Sequence, residues 1–172
     1  MEAITRARTN SPFLASLIER QPDLVVLLEK GAFDEALAQA LAVMVEDNPG
    51  ATLRKQRQGV ALVTAIADLA GVWDLTKVTR ILSDFADTAL DIAIAAAFAE
   101  RVPDAPVQGF AVIGLGKHGG QELNYSSDID PIFLYDPETL SHREREDVAD
   151  SAVRIGKRVV ELLSARDEHG YV

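Results

Sequence analysis

The chain contains no cysteine, so neither a disulfide framework nor a thiolate metal site is open to it. It also lacks any excess of positive charge. Seventeen Lys and Arg stand against 27 Asp and Glu, for a formal net charge of −10 and a pI near 4.7. That balance disfavours non-specific attachment to nucleic acid or to an anionic membrane. No apolar run is long enough to span a bilayer: the most apolar helix-like stretch, Ala89 to Ala99, is short and carries Asp91. The amino terminus has no signal-peptide pattern, and there is no internal repeat or low-complexity segment. The three histidines, His118, His142 and His169, share no metal-ligand spacing and read as surface residues. The expectation is a cytoplasmic protein with no nucleic-acid or membrane partner.

What the chain does have is an ordinary globular composition, 48% apolar and 26% charged over 172 residues. That suffices for one good core, or for two small ones sharing a boundary. Residues Met1 to Asn10 are polar and read as frayed. Ser11-Pro12 then reads as an N-cap followed by proline at the first helical position, with Leu14, Leu17 and Ile18 at helical spacing. A second helix carries Leu24, Leu27 and Leu28 up to Gly31, and a third runs from Phe33 to Val45. Asn48-Pro49-Gly50 is a turn signal. A fourth helix covers Ala51 to Ala70, with Leu53, Val60, Val63 and Ile66 as its stripe. Its first half carries Arg54, Lys55 and Arg57, which form either a solvated face or a face for an acidic partner or a phosphate. Asp74 caps the longest helix, Leu75 to Arg101, whose buried face is read as Leu75, Val78, Ile81, Leu82, Phe85, Leu90 and Ile94. Trp73 and Phe85 read as core.

Pro103 and Pro106 mark a change of composition. Beyond them an apolar strand, Phe110 to Ile113, leads into a glycine-rich turn. Asp128-Ile129-Asp130 then runs into a second apolar strand, Ile132 to Tyr135. A helix from Ser141 to Ala165 follows, and residues 167–172 read as a turn and the start of a third strand. Side chains alternate along a strand, so Asp128 and Asp130 share one side, about 7 Å apart, while Ile129 faces the other. Two carboxylates so placed can hold metal ions for phosphoryl chemistry, and glycines let backbone N–H groups approach a phosphate closely.

Two other readings of the glycines fail. Gly114, Gly116 and Gly119 satisfy Gly-x-Gly-x-x-Gly, but a dinucleotide site needs a helix opened by the third glycine and an acid some twenty residues on. Here the acids come sooner and as a pair. A P-loop fails too, because no Gly-Lys-Ser/Thr follows a four-residue gap. Lys117 either holds a phosphate as a point charge or is an exposed loop lysine. Asn124 and Ser127 suit a turn, and Glu122 is a helix-start acid, an acceptor within the turn or a catalytic group.

Gly114, Gly116, Lys117, Gly119, Gly120, Glu122, Leu123, Ser127, Asp128 and Asp130 match the pattern Gly-x-Gly-Lys-x-Gly-Gly-x-Glu-Leu-x-x-x-Ser-Asp-x-Asp. This stretch resembles the glutamine synthetase adenylyltransferase family, within the DNA polymerase β-like nucleotidyltransferases. The Ser-Pro-Phe-Leu opening, the Arg-Lys-Gln-Arg helix and the segment Asp74 to Asp87 extend the resemblance over nearly the whole chain. It implies an α+β fold, with an N-terminal helical bundle at residues 1–102. Residues 103–172 would be the first part of a nucleotidyltransferase unit, a small mixed sheet with flanking helices. It further implies Mg²⁺ on Asp128 and Asp130, both catalytic, and nucleotide phosphates seated by Gly116, Lys117, Gly119, Gly120 and Ser127. ATP or ADP and phosphate would be substrates, and glutamine synthetase and the PII signal protein would be partners.

Members of that family carry two related transferase halves, one adding AMP to a tyrosine of glutamine synthetase and one removing it by phosphorolysis with release of ADP. The Glu122 to Ser127 segment looks more like the removing half. Pro131 departs from the family pattern and should lie at a strand start or on its unpaired side. The family continues past Val172 through a strand bearing a third carboxylate. The expectation is therefore a fragment that folds but turns over little. Competing readings are the AMP-adding half, a non-catalytic module docking glutamine synthetase or PII, and a different nucleotidyltransferase such as a uridylyltransferase of PII.

Overall fold

The computed structural model describes residues 2–45 and 48–165. Eight helices and two strands are formed among them: α1 Glu2–Asn10, α2 Pro12–Arg20, α3 Pro22–Glu29, α4 Phe33–Leu41, α5 Pro49–Leu69, α6 Leu75–Arg101, β1 Phe110–Gly114, α7 Gly116–Gly119, β2 Pro131–Tyr135 and α8 Val148–Ser164. The fold is α+β, as expected. The residues expected to begin a third strand lie outside the described ones, and among those described the sheet is not mixed but two-stranded and antiparallel.

The N-terminal decapeptide is a helix rather than a frayed end. Ala3, Ile4 and Ala7 are buried in the first core, a stripe too narrow to stand out in so polar a segment. Ser11 caps α2 as its sequence suggests, its side chain accepting from the Leu14 N–H at 3.2 Å. Asn48 does the same for α5, accepting from the Ala51 N–H at 2.9 Å, so α5 starts at Pro49. Helix α4 stops at Leu41, short of Val45. Gln56 of α5 donates to the carbonyls of Leu41 and Val43, and Thr52 bonds Val45. Those side chains take over the backbone groups that a longer α4 would have satisfied itself.

Helix α5 is the axis of the helical part. Leu53, Val60, Val63 and Ile66 are at most 1% exposed, but so much of the remaining surface is covered that Thr52, Arg54, Gln56 and Thr64 are buried as well. Helices α1 to α4 and α6 pack around it. The first core runs from α1 to the start of α6, with Trp73 and Phe33 in ring contact. Leu75, expected on the buried face of α6, is exposed; the face runs instead through Val78, Phe85, Ala86, Ala89, Leu90, Ala93, Ile94, Ala97 and Phe98.

A second core gathers the C-terminal half of α6, the sheet and α8. Phe98 meets Phe110 edge-on and Phe110 stacks on Phe133 across it, with ring centroids 6.2 and 5.6 Å apart. In the ladder Val112 faces Phe133 and Gly114 faces Pro131. Phe110, Val112 and Phe133 turn inward, while Ile113, Ile132 and Leu134 turn to solvent. Helix α8 begins at Val148, not Ser141, because Asp147 caps it by accepting from the N–H groups of Ala149 and Asp150. Val153 of this helix is exposed. Glu146, just ahead of that cap, binds Arg101 at the end of α6 and Arg154 of α8, tying the two helices together.

Candidate active site

The two aspartates precede β2. Burial alternates from Ser127 to Pro131: Asp128 and Asp130 are exposed, whereas Ile129 packs against the second core. Neither carboxylate has a side-chain hydrogen bond or ion pair among the described residues. Pro131 is the first residue of β2, the location its missing N–H allows. Just ahead of it, the Asp130 carbonyl accepts from the Leu115 N–H at 3.2 Å. That one bond extends the ladder past Gly114↔Pro131 and sets Asp130 beside the mouth of the glycine loop.

The loop itself is not an open turn. Gly116 to Gly119 form a single helical turn, closed by Gly119 N–H to Leu115 O and Gly120 N–H to Gly116 O. Gly116 lies at φ +56°, a left-handed conformation that costs other residues about 1–2 kcal/mol. At Gly119 a Cβ would stand 2.4 Å from the Gly114 carbonyl oxygen, so there the missing side chain serves the loop's own packing. Gly120 has room: its nearest contact would be 3.5 Å away. Lys117 is exposed and without an ion-pair partner among the described residues, its side chain available to an anion.

Ser127 and Asn124 form a tight turn. The Ser127 hydroxyl donates to Asn124 Oδ1 and accepts from the Asn124 N–H, both at 3.0 Å, and the Ser126 N–H also donates to Asn124 Oδ1. The Ser127 hydroxyl is therefore already engaged within the protein. Glu122 is exposed, and its N–H donates to the Lys117 carbonyl at 2.7 Å.

The sequence reading missed how the helical part grips this loop. His118 is not on the surface: it is 3% exposed, its Nε2 is 2.7 Å from Asp87 Oδ1 of α6, and Gln121 Nε2 donates to the other oxygen of Asp87. The Leu123 N–H donates to the buried Ser83 hydroxyl, one turn before Asp87. The Tyr125 hydroxyl donates to Asp68 of α5 at 3.0 Å; burial, and then the Asp68 charge, push its ionisation well above the usual phenol range. A signal was present, since Ser83 and Asp87 are polar residues at i and i+4 beside an apolar stripe. Their partners some 30 to 40 residues away were not legible. His142 is exposed, as expected, and His169 lies outside the described residues.

Asp128 and Ser127 line a cleft of about 580 Å³ between the helical part and the sheet, walled by Leu14, Val60, Leu82, Phe85, Ile129, Phe133 and Val160. Arg57 of α5 also lines it, while Lys55 is exposed and Arg54 is buried and reaches the Ala165 carbonyl. The basic trio is thus not one solvated face. Gly116, Lys117, Gly119, Gly120 and Asp130 lie outside the cleft walls.

A pair of exposed carboxylates at a strand start, on a backbone segment bonded to a glycine loop with an available lysine, can hold metal ions that handle a charged phosphate group. The sequence model of the glutamate-ammonia ligase adenylyltransferase family matches residues 1–172. The chain belongs to that family. Similar proteins include the bifunctional glutamine synthetase adenylyltransferase/adenylyl-removing enzymes of Caulobacter vibrioides, 37% identical over 94% of this chain, and of Xanthobacter autotrophicus, 36% identical over the same share. That of Rhizobium meliloti is 36% identical over 70% of the chain. The chain spans 18% of the length of the first two and 13% of the third.

Proposed function

We propose that this chain is part of an enzyme that regulates glutamine synthetase by moving AMP on and off it, and that it belongs to the half that removes AMP. The observation carrying this reading is the Leu115–Asp130 backbone bond, which sets the segment bearing the carboxylate pair beside the glycine loop. Family membership supplies the group transferred and the protein it is transferred on.

The donor set fits Mg²⁺. Two exposed carboxylates free of protein cations offer hard oxygen ligands, and Mg²⁺ is commonly held by one or two carboxylates plus substrate phosphates. Among the described residues no third acid or histidine joins them. Asp128 and Asp130 would hold the ion, which when bound would neutralise charge on the nucleotide phosphates. Lys117 would add a point charge, and the backbone of Gly116, Gly119 and Gly120 would lie against a phosphate; Ser127 would reach one only by exchanging its bond to Asn124. In the reaction a phosphate oxygen attacks the phosphorus of the tyrosine-bound AMP. The phosphorus–tyrosine oxygen bond breaks, the tyrosine oxygen takes up a proton, and ADP leaves. PII would act as a regulatory partner, and the location would be the cytoplasm.

The test is a chimera in which this chain replaces the matching segment of the Caulobacter relative. With AMP-modified glutamine synthetase, Mg²⁺ and phosphate, ADP release should be present and should be abolished by Asp130→Asn, while AMP transfer from ATP persists in that variant. Loss of AMP transfer with ADP release intact would assign the adding half. Loss of neither would leave a module that docks glutamine synthetase or PII.

A further inference from the structure

We infer that Asp87, on α6, is a positioning residue that holds the glycine loop in its phosphate-ready shape through His118 and Gln121; this rests on the transfer-site reading above. The Asp87 carboxylate is divided between two loop residues, with Oδ1 2.7 Å from His118 Nε2 and Oδ2 3.4 Å from Gln121 Nε2. Both partners are held in ways the loop would not adopt unaided. Gln121 lies at φ +59°, the one non-glycine residue with positive φ among those described, a conformation that persists only where its surroundings over-determine it. His118 is buried with Nδ1 unpartnered, and its ring fills the space beside Gly114, where a Cβ would stand 2.8 Å from Nδ1. Because a carboxylate only accepts, the bond to Asp87 requires a proton on Nε2, while Nδ1 faces Gly114 with no partner among the described residues.

The two bonds bracket Gly119 and Gly120. His118 anchors one end of that dipeptide and Gln121 the other, so the backbone expected to face a phosphate is suspended between two side chains fixed to one carboxylate. Ser83, a turn earlier on α6, holds Leu123 in the same way. The helical part therefore adds side-chain ties to a loop whose backbone is also closed onto Leu115 and Gly116 at the end of β1.

The experiment uses this chain with four substitutions, Asp87→Ala, His118→Ala, His118→Gln and Asp130→Asn, and two readouts. Amide hydrogen exchange is measured at Gly120, Glu122 and Leu123, and Mg²⁺–ADP affinity by titration. Losing a hydrogen bond to a charged group should speed loop exchange about tenfold in Asp87→Ala and His118→Ala and weaken Mg²⁺–ADP binding by a similar factor, with the melting temperature of Asp87→Ala, a change at a half-exposed side chain, near that of the parent. His118→Gln, whose amide can reach Asp87, should recover both. Unchanged loop exchange in Asp87→Ala would overturn the inference. So would faster exchange with unaltered Mg²⁺–ADP affinity, provided Asp130→Asn abolishes binding. If the parent chain binds no Mg²⁺–ADP, the transfer-site reading falls and the purpose of the clamp falls with it. The exchange result would still decide whether Asp87 holds the loop.

Discussion

Gly119 and Gly120 are adjacent, both match the family pattern, and the structure gives them different work. A methyl group at Gly119 would collide with the Gly114 carbonyl, whereas one at Gly120 meets ordinary contacts at a permitted φ of −83°. Gly119→Ala should destabilise the chain by about 1–3 kcal/mol, the cost of overpacking. Gly120→Ala should leave stability unchanged or raise it by about 0.4–1 kcal/mol. Urea denaturation of the two variants checks both. If Gly120 seats a phosphate, its alanine variant should also lose Mg²⁺–ADP affinity while remaining folded. The sequence showed which residues belong to the loop, because motif positions are one-dimensional. It could not show that one glycine is needed for packing and its neighbour is not, since that depends on Gly114 folding back across five residues.

Helix α6 joins the two cores, and its start at Leu75 and its approximate end near Arg101 were legible because Asp74 caps it and a proline-marked break follows. Its buried face was only half legible. The aliphatic and aromatic positions stood out, while Ala86, Ala89, Ala93 and Ala97 gave little hydrophobic signal. Phe98, 1% exposed and edge-on against Phe110 in the second core, should be the most costly truncation on this helix. Phe98→Ala is expected to lose about 3–5 kcal/mol, read as a lowered denaturation midpoint.

The far end of α6 carries a pH-dependent tie. Burial pushes the Glu146 carboxyl up, but the Arg101 and Arg154 guanidiniums outweigh it and hold the group below its ordinary value of 4.5. A depressed carboxyl stabilises the folded state above its unfolded value, and that contribution is lost as pH falls through the folded one. The stability difference between the parent and Glu146→Gln should therefore be constant above about pH 5 and shrink below about pH 4. Urea titrations across that range would show it. A difference that grows on acidification would contradict the assignment.

On the scale of the molecule, helical and sheet parts meet along the apolar cleft that Asp128 overlooks, and the grip of α5 and α6 on the glycine loop makes them one working unit. The fold class and the carboxylate pair were legible because each rests on local pattern. The helical N-terminus, the buried histidine and the mouth of the cleft were not, because each arises from segments 30 or more residues apart coming into contact.

We propose that Asp128 and Asp130 form the metal–nucleotide site of this chain. Paramagnetic line broadening with Mn²⁺ and ADP would locate that site. Broadening should centre on the amides of Asp128, Ile129 and Asp130 and extend to Leu115 and Gly116, and Asp130→Asn should abolish it. Broadening centred elsewhere, or unchanged in that variant, would contradict the account.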